Sequence, residues 1–534
     1  MEQGKVSKLL IWSLVIVLLL AGAVLGMAKL KSSGSKSSST DSVKDEKTAL
    51  DNINIGTTGP PKSIYPMNAN EGSEIAFNSA IFESLATFNG DNVLIPTLAT
   101  KWDNPDNLTW RFYLSKKAKF SNGDPITADD VKFTFDTIRA DKTSQMSTAL
   151  PSAEVKVVDS STVEFITKSP DPVLLNKLAG SLFVMSKKDI QKNGFNSQNI
   201  GSGPYTVSQV TDKYTKLTVN ENYWGEKPKI KNVTYKLIES GKEVTALTSG
   251  DIDFVFYLPP EDKTNSELTN AIKNKKVYLT ETTSDNVNYF DLDSMKDKTP
   301  YINLAVNPLK DKRVREAMAL SLDMNDFVAN VPNTVVTNQL VTRGIFGYNP
   351  SIPKKQQDLT KAKELMKESG YENGFSLTVD FVDSSLTTDV MKRFAGYLAN
   401  INIKLIANGL PQDKFFEKVG GKDTSAYFIG FATSSKDASE VLEGIIHTPS
   451  NIYGQYNLGY SNSTLDKMVE EASTTLNQQT RQQELQKTMK LAMEDYAKIP
   501  LFSYSFNSAI SSKVYWKPRL DGILRVSEMA GKSE

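Results

Sequence analysis

Two adjacent carboxylates, Asp129 and Asp130, stand in the stretch FSNGDPITADDVKFTF (Phe120–Phe135). Paired acids can do acid–base work or hold a cation, but either use needs partners at ligand spacing, and none accompanies them. Their surroundings give a local account instead. The SNGD segment reads as a hairpin-type turn with Gly123 at positive φ, and Pro125 ends the strand before it. Thr127 stands at a helix N-cap position with Asp130 three residues on, the capping-box spacing. Both acids then meet the positive end of a helix dipole, and Val131, Thr134, Phe135 and Ile138 form its apolar stripe. The pair reads as scaffold.

Other reactive side chains are scarce. The 534-residue chain has no Cys, which removes thiol catalysis, disulfides and Cys-based metal sites, and also a lipid-modified N-terminal Cys. Its one His, His447, would have to serve any Ser–His–Asp triad, yet no G-x-S-x-G or H-E-x-x-H motif is present; it reads as a loop or helix-end residue. The terminal GKSE imitates the end of a phosphate-binding loop, but Val526 stands where the first Gly belongs. Lys plus Arg and Asp plus Glu balance at 62 each, so there is no broad electrostatic case for nucleic acid. Catalytic residues, metal ligands and cofactors are therefore expected to be none.

The length predicts two or three domains. Leu9–Ala28 is an almost unbroken apolar run of about 30 Å as a helix, one hydrocarbon core. Lys5 and Lys8 before it favour a cytoplasmic amino end; Lys29 and Lys31 after it weaken that bias. Ala21-Gly22-Ala23 could be a cleavage site, but the run continues past it, so a retained anchor is expected over a cleaved signal. Either way the remainder is exported, to the extracytoplasmic face of the membrane. Residues 29–49, with the Ser-rich Lys31–Thr48, read as a flexible linker, and the folded body is expected from near Leu50. In the body, Ile75–Leu85 has helical spacing, TWRFYL alternates as a half-buried strand, and EVKVVDSSTVEFIT reads as two strands around Asp159-Ser160-Ser161. Helices are predicted at Glu243–Ser249, after Asp311, before Gly370, across Leu465–Ala472, and across Leu485–Tyr496 with Pro500 as its stop. Strands and helices mix without regular βαβ alternation, giving an α/β plus α+β class.

In order, several blocks resemble the family 5 extracellular solute-binding proteins, the receptors of peptide and nickel ABC importers. Leu94–Arg139 is similar to the family signature, P-x-L-A-x-x-W, T-W-x-F-x-L and K-F-x-x-G-x-P-x-T-A-x-D-V; IGSGPY (Ile200–Tyr205) resembles G-T-G-P-Y; and NYWGEKPKIKNVTYKLI, ALTSGDIDFV and NPLKDKRVREAMALSLD (Asn307–Asp323) follow. The resemblance extends over nearly all of 51–510. It implies a two-lobed periplasmic-binding-protein-like fold with an extra inserted domain and a ligand cleft between the lobes. Lobe I would comprise 50–84, 191–280 and 500–534, the inserted domain 85–190, and lobe II 281–499. The implied protein is a monomeric receptor that closes on a small solute, an oligopeptide first, and delivers it to permease subunits; it is not an enzyme.

The resemblance also has gaps. Peptide receptors of this family often carry G-W-x-x-D-x-x-D-P before the cleft loop, the first Asp meeting the peptide ammonium. Here GFATSSKDAS (Gly430–Ser439) has Phe431 for the Trp, Ser434 for that Asp, a surviving Asp437 and Ala438 for the Pro. Asp437 is the nearest substitute acid. VDFVDSSLTT offers Asp383 and Ser384 where dipeptide binders tend to have an Arg for the ligand carboxylate. A longer peptide held by its backbone, or a neutral solute such as an oligosaccharide, is expected over a short dipeptide. The expected ligand-binding residues are Asn68, Tyr205, Arg343, Phe431, Ser434, Asp437 and Tyr453, the aromatic ones by stacking. Two other classes compete: an exported hydrolase of peptides or glycans, which lacks a nucleophile motif, and a receptor-derived sensor or chaperone.

Overall fold

The computed structural model describes residues 47–59, 66, 72–144, 146–195 and 200–533. Leu9–Ala28 and Asn68 lie outside these residues. Among the described residues no helix is long and apolar enough to cross a membrane.

The long strand Ile499–Ser511 organises the molecule. Its first residues pair with Val287–Leu292 and its last with Phe254–Leu258, so one twelve-stranded sheet runs through it. On one side the order continues through Ala426–Phe431, Phe375–Val382 and Ile403–Leu410; on the other through Leu50–Thr57, Ile230–Leu237, Tyr214–Val219 and Tyr205–Val210. Val277–Thr283 and Thr334–Val336 also pair along it. The chain crosses between the two halves within 283–287 and again inside this strand. Pro500, expected to stop the preceding helix, is instead the second residue of the strand, opposite Tyr289. The helix Gln478–Glu494 ends earlier, and Tyr496 lies beyond it with φ of +50°.

Several apolar cores fill the body. Phe290, Phe394, Phe428 and Phe502 belong to one beneath the Phe375–Val382 side; Ile53, Phe77, Tyr235 and Phe254 belong to one on the opposite side. A separate four-stranded sheet, ordered Ala99–Asp106, Thr109–Leu114, Thr162–Thr167, Ala153–Asp159, has its own core around Trp110, Phe112, Phe135 and Phe165. The alternation of TWRFYL is what buries Trp110, Phe112 and Leu114 on that core.

The opening acids are structural. Gly123 has φ of +88°. Asp130, 7% exposed, accepts from the Thr127 backbone N–H (2.9 Å) and hydroxyl (2.7 Å), while its other oxygen accepts from the Lys187 N–H at 3.0 Å. One carboxylate thus ties together the starts of the helices Ala128–Ala140 and Lys187–Asn193. Asp129 reaches the Lys187 ammonium at 3.2 Å.

Three boundaries differ from expectation. The first helix is Gly72–Ile81, and Phe82 and Leu85 are buried beyond its end by tertiary packing. The helix after Asp311, whose apolar spacing of Val314, Ala317, Met318, Ser321 and Leu322 predicts it through Leu322, ends at Ser321, with the buried Leu322 as its cap. Lys47 and Thr48, assigned to the linker, pair as a short strand with Lys532 and Gly531, so the ordered body begins before Leu50. A partner from the far end of the chain supplies the hydrogen bonds that this polar segment lacks locally.

Candidate functional site

The expected ligand loop grows out of a strand pair. Val287 stands opposite Phe431 in the antiparallel ladder of Val287–Leu292 with Ala426–Phe431, so the crossover 283–286 and the loop 432–437 leave the sheet side by side. At Gly430 a Cβ would fall 2.1 Å from Asn286 Oδ1, and only glycine lets the crossover come so near. Lys436 takes φ of +56°, a costly conformation for a side-chain-bearing residue. Its surroundings hold it there. The Lys436 carbonyl accepts from the Phe346 N–H at 3.0 Å, the Ala438 N–H donates to the Phe346 carbonyl at 2.8 Å, and the ammonium pairs with Asp285 of the crossover. Burial pulls the Lys436 ammonium down, but Asp285, with Asp521 and Glu440, outweighs it and holds the group above its ordinary pKa.

Asp437 is not a free acid. It is 2% exposed, meets the fully buried Arg481 through two bonds of 2.6 and 2.9 Å, and accepts from the Ser439 N–H at the start of the short helix Ala438–Val441. Buried opposite charges this close stay paired. The acid beside Ser434 is Glu440. Its carboxylate accepts from the Ser434 hydroxyl at 3.1 Å, the Ser435 hydroxyl at 2.9 Å and the Ser435 N–H at 3.1 Å. Glu440 is partly accessible and Ser434 exposed, so the carboxylate is fixed by neutral donors with a side open to solvent.

Parts distant in sequence close around this loop. The Asn176 side-chain amide, on the helix Leu174–Leu178, donates to the Ser435 carbonyl at 2.8 Å. Lys177 lies near enough to Glu443 to oppose the burial that pushes that carboxyl up. At Gly344, φ +96°, a Cβ would lie 2.5 Å from Leu520 Cδ1 and 3.5 Å from the Asn92 amide nitrogen. The site is thus a junction of 432–440, 283–286, 343–347, the helix at 174–178 and the C-terminal segment around 519–525.

The other expected residues separate. Tyr205 is a correction: it is completely buried in the core with Phe77 and Phe254, and its hydroxyl donates to the Ile230 carbonyl at 2.9 Å, so the ring does not face the junction. Phe431 is 9% exposed and packs on Tyr456 at 5.7 Å between ring centroids. Tyr453 is partly buried and lies 4.4 Å from the His447 ring, whose nitrogens meet the Thr448 carbonyl and Glu470. Arg343 is exposed next to the packed Gly344. The junction therefore gathers Phe431, Ser434 and Asp437 directly and Arg343 by its neighbour. Glu440, Lys436 and Asn176 were missed. Glu440 carried a faint signal, an acid on the loop that lacks its Asp; the other two carried none, because their partners come from remote segments.

Residues 93–452 match the family described as bacterial extracellular solute-binding proteins, family 5 Middle. The chain is 25% identical over 509 residues to the periplasmic oligopeptide-binding protein OppA of Haemophilus influenzae, covering 86% of this chain and 90% of that one. Two solved structures share its fold. The periplasmic murein tripeptide-binding protein MppA, in its unliganded open form, superposes with a TM-score of 0.80 at 20% identity, covering 92% of this chain and 99% of that one. The oligopeptide-binding protein AppA of Bacillus subtilis, in complex with a nonapeptide, gives 0.64 at 19% identity, covering 91% and 100%. The architecture is the two-lobed one of periplasmic binding proteins, and the chain belongs to the bacterial extracellular solute-binding proteins of family 5.

Proposed function

We propose that this protein is the peptide-capturing receptor of an ABC importer, binding an oligopeptide between its lobes and passing it to membrane permease subunits. Support comes from the family, from the oligopeptide-binding relative and from the peptide complex of a fold neighbour. Capture by closure needs no turnover. Lobe I would be built from 50–84, 191–280 and 500–534, lobe II from 281–499, and the domain 85–190 inserted between them. The protein would act as a monomer on the extracytoplasmic face, tethered by Leu9–Ala28.

The observation that carries the ligand class is the Glu440 carboxylate, oriented at the junction by Ser434 and Ser435; among the described residues its hydrogen bonds come from neutral donors, and the nearby Lys436 is paired with Asp285. Asp437, committed to Arg481, is replaced in the ammonium-receiving role by Glu440. Phe431, Tyr453 and Arg343 line the same region in this reading, and Asn68 remains a candidate from its loop context. Calorimetry with free and N-acetylated alanine tetra- and pentapeptides tests it. The free amine should bind more tightly by ~2 kcal/mol, and Glu440→Gln should erase most of that difference. Equal affinity for both peptides, or a preference untouched by Glu440→Gln, refutes the assignment.

A further inference from the structure

The C-terminal segment holds two arginines in contrasting surroundings. Arg519 is 2% exposed and fully engaged: it meets Asp521 through Nε at 2.9 Å and Nη2 at 2.6 Å, pairs with Glu528, and donates to the Phe88 carbonyl. The buried Arg481 and Arg315 are likewise saturated, by Asp437 and the Ala472 carbonyl in one case and by four backbone carbonyls in the other. Arg525 is different. It is partly buried, its Nη2 donates to the Thr87 hydroxyl at 2.9 Å, and its Nε is shielded from solvent with no partner among the described residues. Among the described residues it has no carboxylate within ion-pair distance, because Arg519 takes both neighbouring acids. Burial and the adjacent Arg519 push its pKa down to about 10, against the pull of Asp521 and Glu528.

This cation sits against the segments that carry Thr87 and Gly180. Its Nη2 is 3.8 Å from where a Gly180 Cβ would stand, and Gly180 closely follows the helix whose Asn176 bonds to Ser435. Asp521, four residues earlier, is close enough to Lys436 to stabilise its charge. A guanidinium offers five donors in a planar fork suited to a carboxylate. A half-buried one with a single neutral acceptor is incomplete, since buried donors left unmade are costly.

We infer that Arg525 receives a carboxylate of the bound solute, so that the solute is an acid or a zwitterion such as a peptide with a free C-terminus. This rests on the peptide reading above and deepens it. Glu440 on one lobe and Arg525 on the other then place opposite charges on the two sides of the junction. A solute carrying both charges in the right sense gains from closure, and one lacking the acid leaves Arg525 uncompensated.

The test is calorimetry of the full protein with alanine tri-, tetra- and pentapeptides bearing free or amidated C-termini, plus an amidated peptide ending in Glu. The free peptides should bind on the order of 100-fold more tightly than the amidated ones. Arg525→Gln should lose that preference while leaving amidated-peptide affinity within about threefold, and Arg525→Lys should keep part of it. A structural staple to Thr87 would instead lower both affinities together. Recovery of affinity by the Glu-ended amide supports a side-chain carboxylate as the anion; no recovery, with the free peptides preferred, supports the terminal one. Equal binding of free and amidated peptides by the wild type overturns the inference without any variant having to fold, as does a preference that survives Arg525→Gln. If no alanine peptide binds the wild type, the peptide reading falls and this inference with it; binding that ignores the C-terminus sinks this inference alone.

Discussion

Replacing Asp437 by Asn separates a structural role from a ligand-binding one. The Asp437–Arg481 pair has side-chain exposures of 3% and 0%, with bonds of 2.6 and 2.9 Å. Asn keeps the oxygen that accepts from the Ser439 N–H, so the helix cap survives and the change removes mainly the charge. The Arg481 guanidinium, held otherwise by the Ala472 carbonyl at 2.8 Å, is then buried without its anion. Removing one member of such a pair costs about 3–5 kcal/mol. For a cooperative unit of roughly 200 residues each kcal/mol moves the melting temperature by about 2–4 °C, so a fall of about 6–20 °C is expected. The double variant Asp437→Asn with Arg481→Met should be less destabilised than the sum of the singles, because the orphaned charge is gone. Differential scanning calorimetry of the four proteins measures the coupling, and peptide titration of the same samples shows any direct binding role. An unchanged melting temperature together with lost affinity for free-amine peptides would refute the reasoning and return Asp437 to the ligand.

Three further outcomes are expected. Asp130→Ala should cost about 1–3 kcal/mol, since it orphans the Thr127 and Lys187 N–H groups, and should leave solute affinity unchanged; loss of affinity at constant stability would point to a ligand role. Glu83 accepts from Tyr223 at 3.0 Å and Trp224 at 2.9 Å, and burial lifts its carboxyl from 4.5 to about 7 against those bonds. The folded state therefore holds the proton more tightly: the stabilisation is complete below pH 4.5 and is lost as pH rises through about 7, by up to roughly 3 kcal/mol. Urea titrations of wild type and Glu83→Gln between pH 4 and 8 should show the wild type losing stability relative to the variant, and parallel pH profiles would contradict this. Finally, the mature protein is expected to retain Leu9–Ala28, and an intact mass corresponding to an N-terminus near Val24 would show cleavage instead.

Much of this protein is written in short-range pattern. The turn at Gly123, the start of the helix at Thr127 and Asp130, the alternation of TWRFYL and the positive-φ Gly370 after Leu359–Glu368 were legible because each depends on residues within one turn or one strand. The absence of Cys and the single His bounded the chemistry by composition alone. The blocks from Leu94 to Asp323 carried the family because their order survives as text. Tertiary structure decided the rest. Pro500 looked like a helix stop and is a strand residue because strands remote in sequence recruit it. Tyr205 looked free beside a Gly-rich turn and is core because Ile230 takes its hydroxyl. Asp437 looked like the acid for an ammonium and is spent on Arg481, 44 positions away, while the carboxylate bonded to Ser434 is that of Glu440. The fate of a charge is set by what burial places within about 4 Å of it, and neighbours brought together across such separations leave no mark on local spacing.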